Sequence, residues 1–374
     1  MTARRLSLVF LGLTLSSSWG NGHATTYRAL LKGLAARGHR VTFLERDQPW
    51  YAANRDLAGC DYCDLVFYDD LSELQRNQAQ LVAEADAVIL GSYLPEGVAA
   101  GEWVLQQARG LVGFYDIDTP ITLARLERGD REYLAPELVP HLDFYLSFTG
   151  GPLLERLAGN YGARLPVAFH CMVDADLYRS TGEPPRWDLG YLGTYAEDRQ
   201  PALERLLIEP ARRLPDKRFV VAGPQYPADI TWPDNVERID HLAPAEHSSF
   251  YSRCRFTLNI TREEMVRAGW SPSVRLFEAA ACGSAILSDP WPGLEEIFPP
   301  GEALLTVSDS DDVLGVLSEL APGEARAMAE RARQRVLAAH TGERRAAELE
   351  EVIKLAGAAS ARGLQQEKRH ALSR

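Results

Sequence analysis

The sequence predicts an α/β protein built from two doubly wound parallel sheets. Three observations support this fold class. Short apolar runs alternate with segments of helical period along most of the chain, which is the pattern of βαβ units with buried parallel strands. The alternation stops in a stretch rich in Gly, Pro and polar residues at 180–187 and then starts again. At 374 residues, the chain is also long for a single core.

The first βα unit is predicted within residues 6–45. A strand at 6–13 leads through a serine- and glycine-containing loop to an amphipathic helix, and Gly38 separates that helix from a strand at 41–44. Further strands are predicted before the break at 64–68, 87–90, 111–115, 144–148 and 167–169, and after it at 189–192, 219–222, 236–239, 256–260 and 285–287.

These strands define the expected domains. Residues 1–178 are expected to form an N-terminal Rossmann-like domain, and residues 179–340 a C-terminal Rossmann-like domain. Residues 341–374 are expected to be a C-terminal helix and a tail that frays from about residue 356, because that tail has little apolar surface to bury.

The N-terminus allows two interpretations. Arg4 and Arg5, followed by an apolar run and serines, have the layout of a cleaved secretory signal. The same run also fits a first buried strand. We favour the strand, because cleavage would delete the central strand of an otherwise complete βαβ unit.

Composition narrows the possible partners and location. The net charge of −12 argues against nucleic acid or an anionic membrane as a main partner. No run reaches the length of a transmembrane segment. Five scattered cysteines indicate reduced thiols and a cytoplasmic protein. Cys60 and Cys63 form a C-x-x-C without a second pair, so we interpret them as two unrelated thiols.

The stretch at 271–296 has the features of an anion site. Ser271 is the predicted N-cap of a helix, with Pro272 in the first turn and Ser273 near free backbone N–H groups. Arg275 and Glu278 follow on one face of this helix. A glycine then ends the helix, and a buried strand leads into a polar loop, where ligands of parallel α/β sheets bind.

Several strings in this half resemble a known fold family. They are R-L-F-E-A-A-A-C-G at 275–283, V-A-G at 221–223 and Y-L-G-T at 191–194. They resemble the C-terminal half of GT-B glycosyltransferases, and the branch they are most similar to is that of the CgeB spore-maturation proteins. Val173-Asp174 with Tyr178 resembles the V-D-x-x-x-aromatic signature at the interdomain crossing of the same fold. The resemblance implies a nucleotide-sugar-dependent transferase with two Rossmann-like domains facing a cleft. In such an enzyme, residues 1–178 would bind the acceptor and residues 179–340 the nucleotide-sugar donor.

The resemblance also implies roles for residues of the helix at 271–283. Glu278 matches the glutamate that holds the ribose hydroxyls of the donor, since a carboxylate accepts from two adjacent O–H groups. The alternative is a surface carboxylate paired with Arg275. Retaining members of the fold carry an earlier glutamate where this chain has Trp270. That departure argues against a retaining mechanism. Trp270 either stacks on a sugar or base of the ligand or is a buried structural residue.

Other donor contacts follow from the same resemblance. Arg275 and Arg199 are candidate diphosphate clamps, and Arg199 lies just beyond the glycine loop of Gly193 and Thr194. A solvated loop arginine is the alternative for Arg199. His241 falls in the loop that would hold the nucleobase mainly by backbone contacts, or it is an exposed loop residue.

The N-terminal half resembles the first βα unit of inverting GT-B enzymes. His23 and His39 are spaced like the two histidines of that pattern, and the first of them is the general base. An imidazole can accept the proton of an attacking hydroxyl. Alternatively, His23 caps the helix or binds an anion. Asn21 and Gly22 are expected to bring their backbone close to the acceptor or the donor phosphate, and His39 is interpreted as structural.

Two acidic residues follow a predicted strand. Asp116 and Asp118 are expected to face the same cleft, and Asp116 is the candidate for orienting the catalytic histidine. The pair also forms D-x-D, which resembles the metal-binding motif of the other glycosyltransferase fold. Because two Rossmann-like halves are predicted, metal binding is the lesser option. A helix N-cap is the alternative for Asp118.

The predicted function is transfer of a sugar from a nucleotide diphosphate sugar to an acceptor hydroxyl, without a metal or other cofactor. A nucleotide-sugar epimerase of the same fold and a non-catalytic CgeB-like assembly or coat protein are the alternatives. A nicotinamide dehydrogenase is disfavoured, because no G-x-G-x-x-G follows the first strand. The sequence leaves open the base, the sugar, the acceptor, the anomeric outcome and the oligomeric state.

Overall fold

The computed structural model describes residues 4–57 and 59–372. By their internal contacts, these residues form two compact units. The first unit contains the chain up to Trp19, then Tyr27–His170, and the chain from Gly342 onward. The second contains Cys171–Thr341 together with Gly20–Thr26. The segment that carries His23 therefore belongs, by its contacts, to the second unit.

The first unit is a seven-stranded parallel sheet in the order β3-β2-β1-β4-β5-β6-β7. Its strands are β1 Ser7–Gly12, β2 Arg40–Arg46, β3 Asp64–Tyr68, β4 Ala87–Gly91, β5 Leu111–Asp116, β6 Phe144–Ser147 and β7 Pro166–Ala168. The helices that connect them are α1 His23–Ala36, α2 Pro49–Ala52, α3 Leu71–Glu84, α4 Gly97–Gln107, α5 Thr119–Glu127 and α6 Pro152–Tyr161.

Strand β1 lies in the middle of this sheet. Leu8 pairs with Val41 of β2 on one side and with Ala87 of β4 on the other. The last five residues of β1 are buried. A strand in this position needs apolar side chains on both faces, so the apolar run at the N-terminus forms the strand that the sequence analysis favoured.

The second unit is a six-stranded parallel sheet in the order β10-β9-β8-β11-β12-β13. Its strands are β8 Trp187–Leu192, β9 Phe219–Ala222, β10 Val236–Ile239, β11 Cys254–Asn259, β12 Ala285–Ser288 and β13 Leu305–Thr306. Its helices are α7 Gln200–Leu203, α8 Glu209–Arg213, α9 Pro244–Ser252, α10 Glu263–Ala268, α11 Val274–Ala281, α12 Leu294–Ile297, α13 Ser310–Glu319 and α14 Pro322–Ala339.

Both sheets reverse their strand order at one point, which is the defining feature of the doubly wound fold. The reversal falls between β1 and β4 in the first unit and between β8 and β11 in the second. The predicted fold class is thus confirmed for each unit. Two details differ from the prediction. Trp187, assigned to the linker, begins β8 and is buried, and the short strand β13 was not predicted.

The C-terminal helix, α15 Gly342–Leu372, packs within the first unit. Its start lies against α1 at two glycines: a Cβ on Gly33 would lie 2.3 Å from the carbonyl oxygen of Gly342. Further along, Glu350 accepts from Arg37 Nε at 2.5 Å and lies 2.6 Å from Nε2 of His39. The fraying expected at the end of the chain stays a prediction, and residues 373 and 374 lie outside the described residues.

Across residues 4–57 and 59–372, none of the helices is both long and apolar enough to cross a membrane.

Candidate functional site

Arg275 lies at the point where the strand order of the second sheet reverses. Its Nε donates to the carbonyl oxygen of Leu192 at 2.5 Å, and its Nη1 donates to Oδ1 of Asn259 at 3.0 Å. Leu192 and Asn259 are the last residues of β8 and β11. The guanidinium also lies 4.6 Å from the ring centre of Tyr191. Both acceptors are neutral, so these bonds fix the guanidinium without cancelling its charge.

Helix α11, which carries Arg275, begins two residues later than predicted. Its N-cap is Ser273, whose Oγ accepts from the N–H of Arg275 at 3.4 Å. Ser271 is completely buried and precedes Pro272. By side-chain type, either serine could cap the helix. Ser271 itself is disfavoured in helical conformation because it precedes a proline. The free N–H groups of the first turn therefore begin at Val274. Gly283, with φ of 75°, ends the helix as predicted.

Glu278 is buried in a cluster of aromatic and imidazole side chains. It is 4% exposed, and its Oε2 accepts from the hydroxyl of Tyr251 at 2.9 Å. Nδ1 of His247 lies 3.9 Å from the same oxygen and 3.2 Å from the hydroxyl of Tyr178. Burial, together with the charge of Glu278, raises the pKa of Tyr251 far above its usual value, so the hydroxyl stays a donor to the carboxylate. The alternative of a surface pair with Arg275 is thus wrong.

A second polar network lies beyond β11 and β12. Oδ2 of Asp289 accepts from the N–H of Thr261 at 3.0 Å, and its Oδ1 accepts from the Thr261 hydroxyl at 2.9 Å. Nδ2 of Asn259 donates to the hydroxyl of Ser288 at 2.9 Å. Burial raises the pKa of Asp289, and the hydrogen bonds from Thr261 oppose that rise. This network orients Asn259, which in turn holds Arg275.

The glycine turn after β8 packs tightly. A Cβ on Gly193 would lie 2.7 Å from Nη2 of Arg275, and Gly223, with φ of 139°, would place a Cβ 2.1 Å from the Gly193 carbonyl oxygen. Only glycine fits this approach. Nη2 of Arg199 donates to the Thr194 carbonyl oxygen at 2.6 Å. Arg199 is therefore held against this turn rather than solvated, and whether it also contacts a phosphate stays a prediction.

The loop after β10 carries His241, which is exposed. Close to this loop in the sequence, three side chains stack on one another, and the sequence analysis did not predict them. The guanidinium of Arg238, on β10, lies 4.3 Å from the ring centre of Tyr226 and 4.8 Å from that of Trp232. Burial lowers the pKa of Arg238. No sequence signal indicated this stack, because Tyr226 and Trp232 lie in the irregular loop between β9 and β10, where no period predicts which side chains meet.

Trp270 is held in place by the loop after β12 and by helix α12. Its backbone has φ of 46°, in the left-handed region. Its Nε1 donates to Oε1 of Glu296 at 2.9 Å, and its ring lies over Gly293, where a Cβ would come within 2.5 Å of it. Trp270 is half-buried. Its indole N–H is thus engaged by the protein, and stacking of the ring on a ligand stays a prediction.

The loop before α1 lies beside the start of α11. Oδ1 of Asn21 accepts from the N–H groups of His23 and Ala24 at 3.1 and 3.2 Å, so Asn21 caps α1. A Cβ on Gly22 would lie 3.5 Å from Cγ1 of Val274. His23 is the first residue of the helix and is 6% exposed. His23 is therefore not the N-cap of α1, which excludes helix capping as an alternative to its catalytic role.

Asp116 is completely buried in the first unit. Its Oδ1 accepts from the Thr122 hydroxyl at 2.7 Å and its Oδ2 from the Tyr145 hydroxyl at 2.5 Å. Burial raises its pKa to about 6, against the opposing effect of these two bonds. The expectation of an open carboxylate past the strand end is corrected here: Asp116 is the last residue of β5 and holds α5 and β6 together. Asp118 stands at the N-cap of α5 without a side-chain cap bond.

In the part of the chain that the structure describes, no group of three or more His, Cys, Asp and Glu side chains is arranged to hold a metal ion. The D-x-D pattern therefore does not correspond to a preformed cluster there. His39, paired with Glu350, has the structural position that the sequence predicted.

A family model matches part of the chain, and solved structures share its fold. Residues 199–351 match a family model described as glycosyl transferase-like. No curated protein sequence matches the chain. The match covers Arg199, Arg275 and Glu278 but not the loop around His23.

Solved structures resemble the chain over nearly its whole length. Sucrose-phosphate synthase from Thermosynechococcus elongatus has a TM-score of 0.68 at 15% identity, covering 95% of this chain and 100% of that one. HepE from Anabaena, in complex with UDP and glucose, has 0.66 at 10%, covering 94% and 100%. An alpha-glucosyltransferase in complex with UDP-glucose and DNA has 0.71 at 14%, covering 94% and 100%. At these identities the likeness shows the fold, which is GT-B.

Proposed function

We propose that this protein transfers a sugar from a nucleotide diphosphate sugar to an acceptor hydroxyl. The observation that carries the proposal is Arg275, a buried guanidinium that two neutral acceptors fix at the strand ends where the second sheet reverses. Doubly wound sheets bind their ligands at this point. The match of residues 199–351 to a glycosyl transferase-like model supports the same conclusion.

The leaving group of this reaction is a nucleoside diphosphate, and its negative charge grows as the glycosidic bond breaks. Arg275 is a cation fixed in advance, and the N–H groups at the start of α11 add a positive helix end beside it. Donors fixed before the reaction stabilise a developing charge without reorganising. We therefore assign Arg275, the N-terminus of α11 and, as a second contact, Arg199 to the diphosphate. This arrangement requires no metal ion.

Glu278 is assigned to the ribose hydroxyls of the donor. The hydroxyl of Tyr251 occupies one carboxylate oxygen and thereby fixes the rotamer of the side chain. The other oxygen can accept from a ribose O–H. His247, 3.9 Å from Glu278, adds positive charge to this carboxylate when it is protonated.

His23 is assigned as the general base of an inverting transfer. The segment that carries it lies against Val274 at the start of α11, within the same unit. A base in this position would take the proton of the acceptor hydroxyl as that hydroxyl attacks the anomeric carbon. Trp270 replaces the first glutamate of the retaining pattern, which favours inversion. Asp116, whose carboxylate is engaged inside the first unit, is no longer assigned to orient this histidine.

Two of the neighbours support the donor class and leave the acceptor open. HepE is in complex with UDP and glucose, and the alpha-glucosyltransferase is in complex with UDP-glucose, so we propose a donor of that chemical class. One of them also holds DNA. The net charge of −12 opposes a polyanionic acceptor here. The CgeB-like branch rests on the motif residues at 275–283 and remains part of the proposal.

The test is a panel of nucleotide sugars, each scored for thermal stabilisation and for release of the nucleoside diphosphate with and without acceptor alcohols. A bound donor raises the melting temperature by mass action. We expect one donor class to stabilise the protein and to release nucleotide faster with acceptor. Isomerisation of the donor alone would indicate an epimerase. An absence of both binding and release across the panel would refute the proposal and favour a non-catalytic assembly protein.

A further inference from the structure

Two cysteines outside the candidate site lie in direct contact. The sulfur atoms of Cys60 and Cys63 are 2.8 Å apart, and both residues are half-buried. The other cysteines, Cys171, Cys254 and Cys282, are buried. We propose that Cys60 and Cys63 are a dithiol modification site that forms an intramolecular disulfide on reaction with low-molecular-weight disulfides. The structure thereby corrects the expectation that the two thiols are unrelated.

The short separation favours a disulfide over a metal site. A disulfide requires the two sulfurs to close to about 2.05 Å, and residues separated by only two others can do so within one turn of chain. A structural zinc site needs four ligands. Within residues 4–57 and 59–372, no third His, Cys, Asp or Glu side chain joins this pair in a group that could hold a metal ion.

The reaction is thiol–disulfide exchange, and it balances without any further reagent. The thiolate of Cys60 attacks one sulfur of a small disulfide RSSR; the S–S bond breaks, RS⁻ leaves and takes up a proton, and a mixed disulfide remains on Cys60. Cys63 loses its proton to solvent, attacks the Cys60 sulfur and expels a second RS⁻, which is protonated. Two protein thiols are oxidised, and one RSSR is reduced to two RSH.

The environment of the pair assigns the order of attack. Burial raises the pKa of Cys63, and the hydrogen bond with Cys60 raises it further. Cys63 is thus a poor source of thiolate, and we assign it the second step, on a sulfur that is already in contact with it. Because the reactive species is the thiolate, ring closure speeds up as the pH rises.

The position of the pair gives its oxidation a structural consequence. Cys63 directly precedes β3, and the loop before Cys60 is tied to the loop between β1 and α1. The N–H groups of Asp56 and Leu57 donate to the carbonyl oxygen of Ser16 at 3.1 and 3.2 Å, and the Asp56 carboxylate accepts from the N–H of Ser18 at 3.1 Å. A disulfide next to these contacts restricts the loop that holds Ser16 and Ser18, just ahead of Asn21 in the chain.

The test uses the folded, full-length, reduced protein and oxidised glutathione as the probe. After the reaction is quenched by acid, intact mass and peptide mapping report the modification, and the free thiols are counted after denaturation. We expect wild-type protein to lose two hydrogen atoms without retaining glutathione, and its thiol count to fall from five to three. Ring closure should be about tenfold faster near pH 8.5 than near pH 7.5, because the thiolate fraction of a weakly acidic thiol rises tenfold per pH unit.

Single substitutions separate the pair from the other cysteines. Cys63→Ser should stop at the first step and carry a stable glutathione adduct on Cys60, whereas the matched control Cys171→Ser should still form the disulfide. The proposal fails if wild-type protein retains glutathione on both Cys60 and Cys63. It also fails if both thiols stay free while model dithiols oxidise, or if peptide mapping finds either of them joined to another cysteine.

Discussion

Glu45 holds the loop between β1 and α1 through four hydrogen bonds. It is 1% exposed. One carboxylate oxygen accepts from the hydroxyls of Thr14 and Ser16 at 2.9 and 2.6 Å. The other accepts from the N–H groups of Leu15 and Ser16 at 2.7 and 2.9 Å. The side chain at the end of β2 therefore fixes the path of the chain that leads toward Asn21.

The loss of stability on replacing this carboxylate follows from its hydrogen bonds. In Glu45→Ala, the two hydroxyls can rotate to other acceptors, but the N–H groups of Leu15 and Ser16 cannot. An unsatisfied buried donor costs about 1–3 kcal/mol, so we expect the free energy of unfolding of this unit to fall by about 3–5 kcal/mol. Glu45→Gln keeps one oxygen as an acceptor but presents N–H groups to the remaining donors. We expect it to lose about half as much.

Amide hydrogen exchange in the native protein is the direct assay, because it reads Leu15 and Ser16 individually. A loss of about 3 kcal/mol corresponds to exchange roughly a hundredfold faster at these two amides. The exposed residue Glu102 on α4 supplies the control, and Glu102→Ala should change stability by less than about 0.5 kcal/mol. If Leu15 and Ser16 exchange in Glu45→Ala at the wild-type rate, the carboxylate does not hold this loop and the reasoning is refuted.

Three further predictions concern the site and the docking of α15. Glu278→Gln should weaken donor binding about tenfold by calorimetry, since an amide accepts from fewer ribose hydroxyls than a carboxylate; an unchanged isotherm would remove the ribose assignment. His23→Ala should lower kcat by about 10²-fold or more while leaving the dissociation constant of the donor nearly unchanged; wild-type turnover would exclude His23 as the base. The hydrogen bond from Arg37, and then that from His39, lowers the pKa of Glu350 to about 2. The stabilisation by Glu350 is therefore complete above the ordinary glutamate pKa and is lost as the pH falls toward 2. Glu350→Gln should lower the free energy of unfolding by about 1 kcal/mol near pH 7 and by little near pH 2. An equal loss at both pH values would contradict this linkage.

The strands were predictable because burial on both faces leaves a local signal. A run such as β4 is apolar at every position, and the helix period on either side of it sets its limits. The two halves of the fold were predictable for the same reason. The helix around Arg275 was predictable in part because a glycine, here Gly283, marks its end in the sequence. The strand β13 was missed because it has only two residues, neither of them buried.

The details of the site depend on contacts between distant segments. Ser271 and Ser273 are equally good caps by type, and only the folded backbone shows that it is Ser273 whose Oγ accepts from the N–H of Arg275. Tyr251 and Glu278 belong to different helices, so nothing local places the hydroxyl on the carboxylate. Asp116 looks like an open acid after a strand, and only the neighbouring strand β6 supplies the tyrosine that takes its second oxygen.

The two sheets share one strand order but differ in what occupies the point of reversal, and this difference supports our assignment of the donor phosphates to the second unit. In the first unit, the hydroxyl of Tyr27 lies 2.0 Å from where a Gly91 Cβ would be, so a neutral ring fills the space beside β4. Burial, and the nearby carboxylate of Asp116, raise the pKa of this tyrosine, which indicates an environment unfavourable to further negative charge. In the second unit, the same point holds the cation of Arg275. A diphosphate placed at the first reversal would lie near the carboxylate of Asp116, whereas at the second it would meet the fixed guanidinium of Arg275. Strand order alone therefore provides two equivalent crevices, and the side chains at each one support our proposal that the donor phosphates bind at the second.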